Sequence, residues 1–196
     1  MSVLKLKGWG IKMNILLAFA PFIVFVIIER AVGVLEGLAA GAIVSAGLVL
    51  RDWISPERRV KLMETGTFVL FAGLTLYAPM VDGESWTISE ARLRVDTGLL
   101  FIILLTLALR RPFTLAYARE KEPEYVWKAR SFARMKYAIA AAWALAFAVM
   151  AATDALLVYR PQLPQGIAIA VTLAALAGAM KFTAWYRDRM WATTSR

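Results

Sequence analysis

Long apolar runs are the feature that most constrains what this chain can fold into. A helix needs about 20 mainly apolar residues to cross a bilayer, and six runs in the sequence reach or approach that length. With 60% hydrophobic residues, the chain is more apolar than a soluble domain, in which they make up about 45–50%. The pattern predicts one all-α, polytopic transmembrane domain over residues 1–196. The spans are expected at about 13–28, 31–50, 62–81, 95–109, 137–159 and 166–186.

Basic residues between the runs predict the orientation. Lys and Arg concentrate in the cytoplasmic loops of membrane proteins. Of the 23 basic residues, 19 lie in the N-terminal tail, the second and fourth connections and the C-terminal end, and 4 lie in the other connections. Six spans with both termini in the cytoplasm satisfy this division. We therefore expect a multi-pass protein of a bacterial inner (cytoplasmic) membrane.

Two missing residue types limit the chemistry. The chain has no Cys and no His, which excludes disulfides, iron–sulfur clusters, thiolate zinc sites and Cys nucleophiles. It also removes the usual haem and zinc ligand and the commonest general base. No phosphate-binding loop, nucleophile elbow or metal-ligand cluster occurs in the sequence. We predict no cofactor, no metal and no enzymatic activity, although a lipid enzyme that uses carboxylates stays open.

Small residues recur every four positions in three of the runs, and this spacing places them on one helix face. In lipid, such stripes allow close backbone contact between helices. The stripes therefore predict helix packing, either within one chain or between this chain and another. The residues are Gly33, Gly37, Gly41 and Ser45 in the second run, Ala140, Ala144, Ala148 and Ala152 in the fifth, and Ala170, Ala174 and Gly178 in the sixth.

Acidic residues within apolar runs are costly, which makes them functional candidates. Two acids near the outer ends of the second and fifth predicted spans could pair with nearby arginines, since pairing reduces the cost of a buried charge. The pattern allows a structural ion pair or a polar pocket for a lipid head group or a cation. A proton relay is the disfavoured alternative, because no chain of acids crosses the membrane. Glu64 and Asp96, at span ends, are expected to be interfacial. The possible pocket comprises Glu36, Asp154, Arg30 and Arg160.

The fourth connection, residues 110–136, is the longest polar stretch. Its second half alternates basic and apolar residues, as in helices that lie in a membrane interface and attract anionic lipids. Nucleic-acid binding is the disfavoured alternative, because the bias toward positive cytoplasmic loops already explains the charge. We expect membrane lipids as partners, together with other membrane proteins or a second copy, and no nucleic acid. The predicted lipid contacts are Lys128, Arg130, Arg134 and Lys136.

Three passages in matching order carry a family resemblance. Residues 19–25 read FAPFIVF, residues 67–76 read TFVLFAGLTL, and the step RRP follows at 110–112. On these passages the chain resembles the intracellular septation protein A family of bacterial inner-membrane proteins. The resemblance implies an envelope- or division-associated protein without an established catalytic site.

Three functional hypotheses follow from the sequence. The leading one is a non-enzymatic inner-membrane protein that supports the cell envelope or septation through helix–helix and lipid contacts. The second is a small transporter or lipid-handling protein with an acidic pocket on the outer side. The third is an accessory subunit of a larger membrane complex.

Overall fold

The computed structural model describes residues 17, 19–55, 61–81, 86–115, 130–164 and 166–194. Within these ranges every regular element is helical, which confirms the all-α prediction. The elements are α1 (Ala20–Ala31), α2 (Val34–Ile54), α3 (Leu62–Tyr77) with the 3₁₀ turn Ala78–Val81, α4 (Ile88–Ala108), α5 (Arg130–Tyr159) and α6 (Gly166–Thr194).

Four helical stretches are long and apolar enough to cross a membrane, in agreement with a helical membrane protein. The described part of the first predicted span is α1, whose 12 residues extend only about 18 Å at 1.5 Å per residue. The 21 residues of α4 are long enough, but the first half of that helix carries four charged residues. Six spans and cytoplasmic termini therefore stay predictions. The four stretches are Val34–Ile54, Leu62–Val81, Phe132–Tyr159 and Gly166–Met190.

The described helices form two compact units, of which the first contains α1, α2 and α3. In this unit α2 packs against both α1 and α3. The core is built from side chains with no exposed surface, including Phe25, Leu38, Met63 and Phe71. The rings of Phe25 and Phe71 are tilted, with centroids 5.6 Å apart. This aromatic pair joins α1 to α3 in addition to the contacts that each makes with α2.

The small residues of α2 allow this close packing. A Cβ added at Gly37 would lie 2.9 Å from the backbone nitrogen of Glu29 in α1, and one at Gly41 would lie 2.6 Å from Cδ1 of Phe71 in α3. Ser45 is fully buried, and its hydroxyl donates to the Gly41 carbonyl at 2.8 Å. The stripe thus packs against neighbours inside the same chain.

The second unit contains α4, α5 and α6, with α5 packed against both of the others. A capping box begins α4, because the Thr87 hydroxyl accepts from the Glu90 amide while the Glu90 carboxylate accepts from the Thr87 amide. The chain leaves α4 through Arg110, whose φ of 55° is left-handed. The Arg111 amide donates to the Thr106 carbonyl at 2.9 Å, as in a Schellman motif.

The basic stretch before the fifth apolar run is part of a long helix. The sequence separated residues up to 136 from the span at 137–159, but α5 begins at Arg130 and continues without a break to Tyr159. The Thr114 hydroxyl donates to the Lys136 carbonyl at 2.8 Å, so the turn after α4 docks on this part of α5. The apolar residues predicted only the part of the helix that can lie in lipid. The helical hydrogen bonds of the backbone continue into the polar residues before it.

Candidate functional site

Two clusters of charged side chains are largely buried among the described residues, one in each unit; Glu29 of α1 and Lys136 of α5 are buried outside these clusters. Burial of an ionised group is costly unless it is paired, so each group needs a physical explanation. We call the first the α2–α3 ion cluster and the second the α4–α5 carboxyl cluster. The ion cluster comprises Arg51, Asp52, Lys61 and Glu64, and the carboxyl cluster comprises Arg92, Asp96 and Asp154.

The ion cluster contains two acids and two bases in mutual contact. Lys61 Nζ donates to Asp52 Oδ2 and lies 3.6 Å from Glu64 Oε1. Arg51 Nη2 lies 3.0 Å from Asp52 Oδ1 and 3.5 Å from Glu64 Oε1. The side chains of Asp52, Lys61 and Glu64 are at most 3% exposed, whereas that of Arg51 is 33% exposed. The two positive and two negative formal charges cancel, so the cluster has no net charge although three of its four side chains are shielded from water.

Helix ends bring these four residues together. Asp52 lies in the last turn of α2, Lys61 directly precedes α3, and Glu64 lies in the first turn of α3. A carboxylate is stabilised at a helix N-terminus and a cation at a C-terminus, which suits Glu64 and Arg51. Because each charge is already matched, the chemistry of this cluster is structural: it ties the end of α2 to the start of α3.

The carboxyl cluster joins α4 to α5. Arg92 and Asp96 are four residues apart on α4 and share a face, and Asp154 reaches them from α5. The Asp154 carboxyl group is close enough to that of Asp96 for the two to interact, and it lies in the field of the Arg92 guanidinium. All three residues are buried, with 6%, 1% and 2% of their surfaces exposed.

This arrangement differs chemically from the ion cluster, because it contains two carboxyl groups and one guanidinium. Two neighbouring carboxyl groups can share a hydrogen bond only when one of them carries a proton. The cluster can therefore hold one proton beside one ion pair, or two carboxylates with a net negative charge. Buried acids that share a site in this way are found where proteins bind protons or cations.

The members of the predicted outer pocket belong to different units. In the first unit Glu36 and Arg30 are both exposed. In the second unit Asp154 is buried beside Asp96, while Arg160 is exposed and makes no ion pair with the described residues. Asp154 thus has partners on α4 that the sequence analysis did not assign to it.

Two acids that were expected at the membrane interface are buried in the structure. Glu64 is 2% exposed and Asp96 is 1% exposed. A charge pattern was available in each case: Arg92 and Asp96 are four apart, as in a helical ion pair, and Lys61 and Glu64 are three apart. What the pattern could not indicate is which helix faces the pair.

The predicted lipid contacts are only partly described. Lys128 and the side chain of Arg130 lie outside the described residues, and Arg134 is exposed. Lys136 is 8% exposed, and its ammonium lies 4.9 Å from the centroid of the Phe132 ring. Lys136 is therefore engaged in packing on α5, whereas Arg134 points to the surface.

The two alanine-rich stripes of the second unit have different surroundings. On α5, Ala140 and Ala144 are buried, Ala148 is half-buried and Ala152 is exposed. On α6 the whole stripe is exposed, and a Cβ added at Gly178 would meet no described atom within 4 Å. The exposed members are Ala170, Ala174 and Gly178.

Comparison of the chain with protein-family models, with characterised proteins and with solved structures finds no match. Within the part of the chain that the structure describes, no three acidic side chains are placed to hold a metal ion. The resemblance to the septation protein family thus rests on the sequence passages alone.

Proposed function

We propose that this protein is a non-enzymatic, multi-pass protein of a bacterial inner membrane that supports the cell envelope or septation through helix–helix and lipid contacts. Six spans and cytoplasmic termini, as the basic residues predict, belong to this proposal. The observation that carries it is the contrast between the small-residue stripes of α2 and α6.

The stripe of α2 is used for packing inside the chain, since Gly37 meets Glu29 and Gly41 meets Phe71. The stripe of α6 has the same spacing but is exposed along its length. Small residues on an exposed membrane helix allow another helix to approach closely. The α6 stripe therefore suits contact with a second membrane protein, and the family resemblance points to proteins of division or the envelope.

Site-specific crosslinking in native membranes tests this proposal directly. Because the chain has no Cys, Ala174→Cys introduces a single thiol on the exposed stripe, to which a photoreactive maleimide can be attached. We expect a discrete crosslinked product that contains a division or envelope protein. Ile43→Cys on α2 is the matched control, since Ile43 is 72% exposed but lies off the small-residue stripe. Identical products from both positions, or products with lipid only, would contradict the proposal.

A second candidate function is a small transporter or lipid-handling protein, and the carboxyl cluster favours it. Asp154 shares a buried site with Asp96 and Arg92, and ionisable groups within membrane helices commonly mark ion or substrate pathways. Flux of protons or monovalent cations in proteoliposomes distinguishes the two functions. Flux that Asp154→Asn abolishes, with the fold retained by circular dichroism, would select the second; absence of flux in the wild-type protein would remove it.

The third candidate, an accessory subunit of a larger complex, is separated from the first by purification in a mild detergent. An accessory subunit is expected to co-purify in fixed stoichiometry with its complex. A scaffold that binds partners transiently is expected to require the crosslink for their recovery.

A further inference from the structure

The turn at the end of α4 carries two adjacent arginines, and the backbone of the first is strained. Arg110 has a left-handed φ of 55°, a conformation that disfavours side chains with a Cβ and in which glycine is the usual residue at a helix end. Among the residues that the structure describes, it is the one non-glycine position with positive φ. A backbone outlier of this kind points to a function of the residue that retains it. We call residues 110 and 111 the α4 arginine turn.

Hydrogen bonds and burial hold this turn in place. The Arg110 amide donates to the Leu107 carbonyl at 3.0 Å, in addition to the bond from Arg111 to Thr106 described above. Directly after the turn, Phe113 is 2% exposed, and the residue that follows it is tied to α5 by its hydroxyl group. The backbone of the arginine turn is therefore fixed on both sides, and its two side chains start from defined positions.

Both arginine side chains are available at the surface. Arg110 and Arg111 are exposed, and neither side chain forms an ion pair, a hydrogen bond or a ring contact with the described residues. In this they differ from Arg51 and Arg187, whose guanidinium groups are paired with carboxylates. The turn thus presents two neighbouring guanidinium groups that no carboxylate of the described residues neutralises.

An exposed apolar strip of α4 leads to these arginines. Phe101, Leu105 and Leu109 follow one another at intervals of four residues, so they lie on one face of the helix. They are 64%, 37% and 53% exposed. The 13 residues from 97 to 109 contain no charged side chain and extend about 20 Å along the helix axis. A strip that suits hydrocarbon therefore ends at two positive charges, as is typical where a helix reaches the lipid head groups.

We propose that the α4 arginine turn binds the phosphodiester head group of an anionic phospholipid, whose acyl chains lie along the apolar strip of Phe101, Leu105 and Leu109. A guanidinium can donate two parallel hydrogen bonds to a phosphate, so two guanidinium groups can hold the phosphate oxygens from two sides. The strain at Arg110 fits this role. Glycine at this position would be easier for the backbone, but it would remove one of the two charges.

Charge and polarity favour a lipid over other occupants of this surface. A second copy of the chain docked on the same turn would bring its arginines against these, and like charges that meet at an interface are unfavourable. A soluble anion would neutralise the arginines but would leave the apolar strip uncovered. An anionic phospholipid matches both parts.

This lipid site rests on the proposed function in one respect, because it requires α4 to lie in contact with a membrane. Its assay contains lipid and no other protein, whereas the crosslinking test of α6 detects a protein partner. Loss of lipid selectivity would therefore leave the protein contacts of the proposed function standing, and absence of a crosslinked partner would leave the lipid site standing.

Native mass spectrometry of the full-length protein in a non-ionic detergent measures this binding. The protein is titrated with phosphatidylglycerol, with phosphatidylcholine of the same acyl chains and with inorganic phosphate. A basic residue near an anionic surface contributes roughly fivefold in affinity, so we expect Arg110→Gln/Arg111→Gln to weaken phosphatidylglycerol binding about 25-fold. Phosphatidylcholine and inorganic phosphate are expected to bind more weakly than phosphatidylglycerol to the wild-type protein, since each lacks one of the two features that the site recognises.

The variant Arg110→Gly separates loss of binding from loss of fold. It removes one guanidinium and also relieves the left-handed backbone, so we expect about fivefold weaker phosphatidylglycerol binding with an unfolding midpoint at or above that of the wild type. Arg111→Gly is expected to weaken binding to the same extent without this gain in stability. The matched control for charge is Lys181→Gln/Arg187→Gln, which removes two basic charges from α6 in the same unit and is expected to change binding less than twofold.

Four results would overturn this assignment. The first is equal affinity of the wild-type protein for the two lipids. The second is equal weakening by the two double Gln variants, which would assign the effect to overall charge. The third is undiminished phosphatidylglycerol binding by Arg110→Gly. The fourth is binding of inorganic phosphate as tight as that of phosphatidylglycerol, which would make the turn a site for a soluble anion.

Discussion

The contact between Gly41 and Phe71 supports a prediction whose size follows from the structure. A Cβ at Gly41 would lie 2.6 Å from Cδ1 and 2.8 Å from Cε1 of the Phe71 ring. Carbon atoms in favourable contact are about 3.5–4.0 Å apart, so Gly41→Ala requires a shift of about 1 Å. The Phe71 ring has no exposed surface, and its centroid lies 5.6 Å from that of Phe25. It therefore cannot move aside without disturbing other buried side chains.

The expected cost follows from two opposing effects. Overpacking of a filled core costs about 1–3 kcal/mol, whereas replacing Gly by Ala inside a helix contributes about 1 kcal/mol of stability. At Gly47, also in α2, an added Cβ would meet nothing within 4 Å, so only the helix-propensity gain applies there. The difference between Gly41→Ala and Gly47→Ala therefore isolates the steric effect, at about 1–3 kcal/mol.

Unfolding of the purified protein in mixed micelles, by titration with sodium dodecyl sulfate and detection by circular dichroism, measures both variants. Gly41→Ala is expected to unfold at a lower denaturant fraction than Gly47→Ala. Phe71→Leu in the Gly41→Ala background should recover part of the loss, and a double-mutant cycle should give a coupling of about 0.5–3 kcal/mol. Equal midpoints for the two alanine variants would refute close packing of α2 on α3.

Three further substitutions probe the ion cluster and the ends of α4. Lys61→Met removes a buried partner of Asp52 and is expected to destabilise the protein by about 3–5 kcal/mol, measured by the same unfolding titration. Thr87→Ala removes the capping box and is expected to cost about 1 kcal/mol, seen as faster hydrogen exchange of the first-turn amides of α4. Arg110→Gly relieves the left-handed backbone and is expected to stabilise by up to about 1 kcal/mol, measured as a higher unfolding midpoint.

Each of these substitutions has a control elsewhere in the chain. Arg187→Met breaks the exposed pair with Asp188 and is expected to cost less than about 1 kcal/mol; a loss as large as that of Lys61→Met would contradict the special role of burial. Thr153→Ala lies inside α5 and should leave exchange at the start of α4 unchanged. Arg111→Gly, at a residue without positive φ, should give no stabilisation, and an equal gain at both positions would argue against relief of strain.

Helix positions followed closely from the distribution of apolar residues. The sequence predicts a span at 62–81, and the structure has helix from Leu62 to Val81. It predicts that the fifth span ends at residue 159 and the sixth begins at 166, as α5 and α6 do. These ends are local, because Pro161 and Pro164 lack an amide hydrogen and disfavour helix at the preceding residue.

At its other end, each of α5 and α6 extends beyond the apolar run that predicts it. The helix begins at residue 130 in α5 and continues to residue 194 in α6, well beyond the predicted spans of 137–159 and 166–186. Apolar character predicts where lipid can surround a helix, but a helix continues wherever its backbone hydrogen bonds are satisfied. The helix can therefore include basic and aromatic residues such as Arg189 and Tyr186 beyond the end of the apolar run.

The charged residues, too, were only partly predictable from the sequence. The sequence marked Asp154 as a functional candidate because an acid in an apolar run is costly. It could not identify Asp96 as the partner, because the pairing of α4 with α5 depends on the rotation and the register of two helices that are distant in sequence. Burial of Lys61 was likewise invisible, since a lysine next to a polar connection is ordinarily solvated.

The amino-acid sequence alone determined the class of this protein and the chemistry open to it: apolar runs of membrane-spanning length and the absence of Cys and His are properties of the chain in any conformation. The tertiary structure decided which of several similar small-residue stripes pack against a neighbouring helix. Gly41 and Gly178 both belong to small-residue stripes, yet the space beside Gly41 is occupied by Phe71, whereas the space beside Gly178 is open. A periodic pattern defines a helix face, but only the packing of helices against one another decides which face is covered.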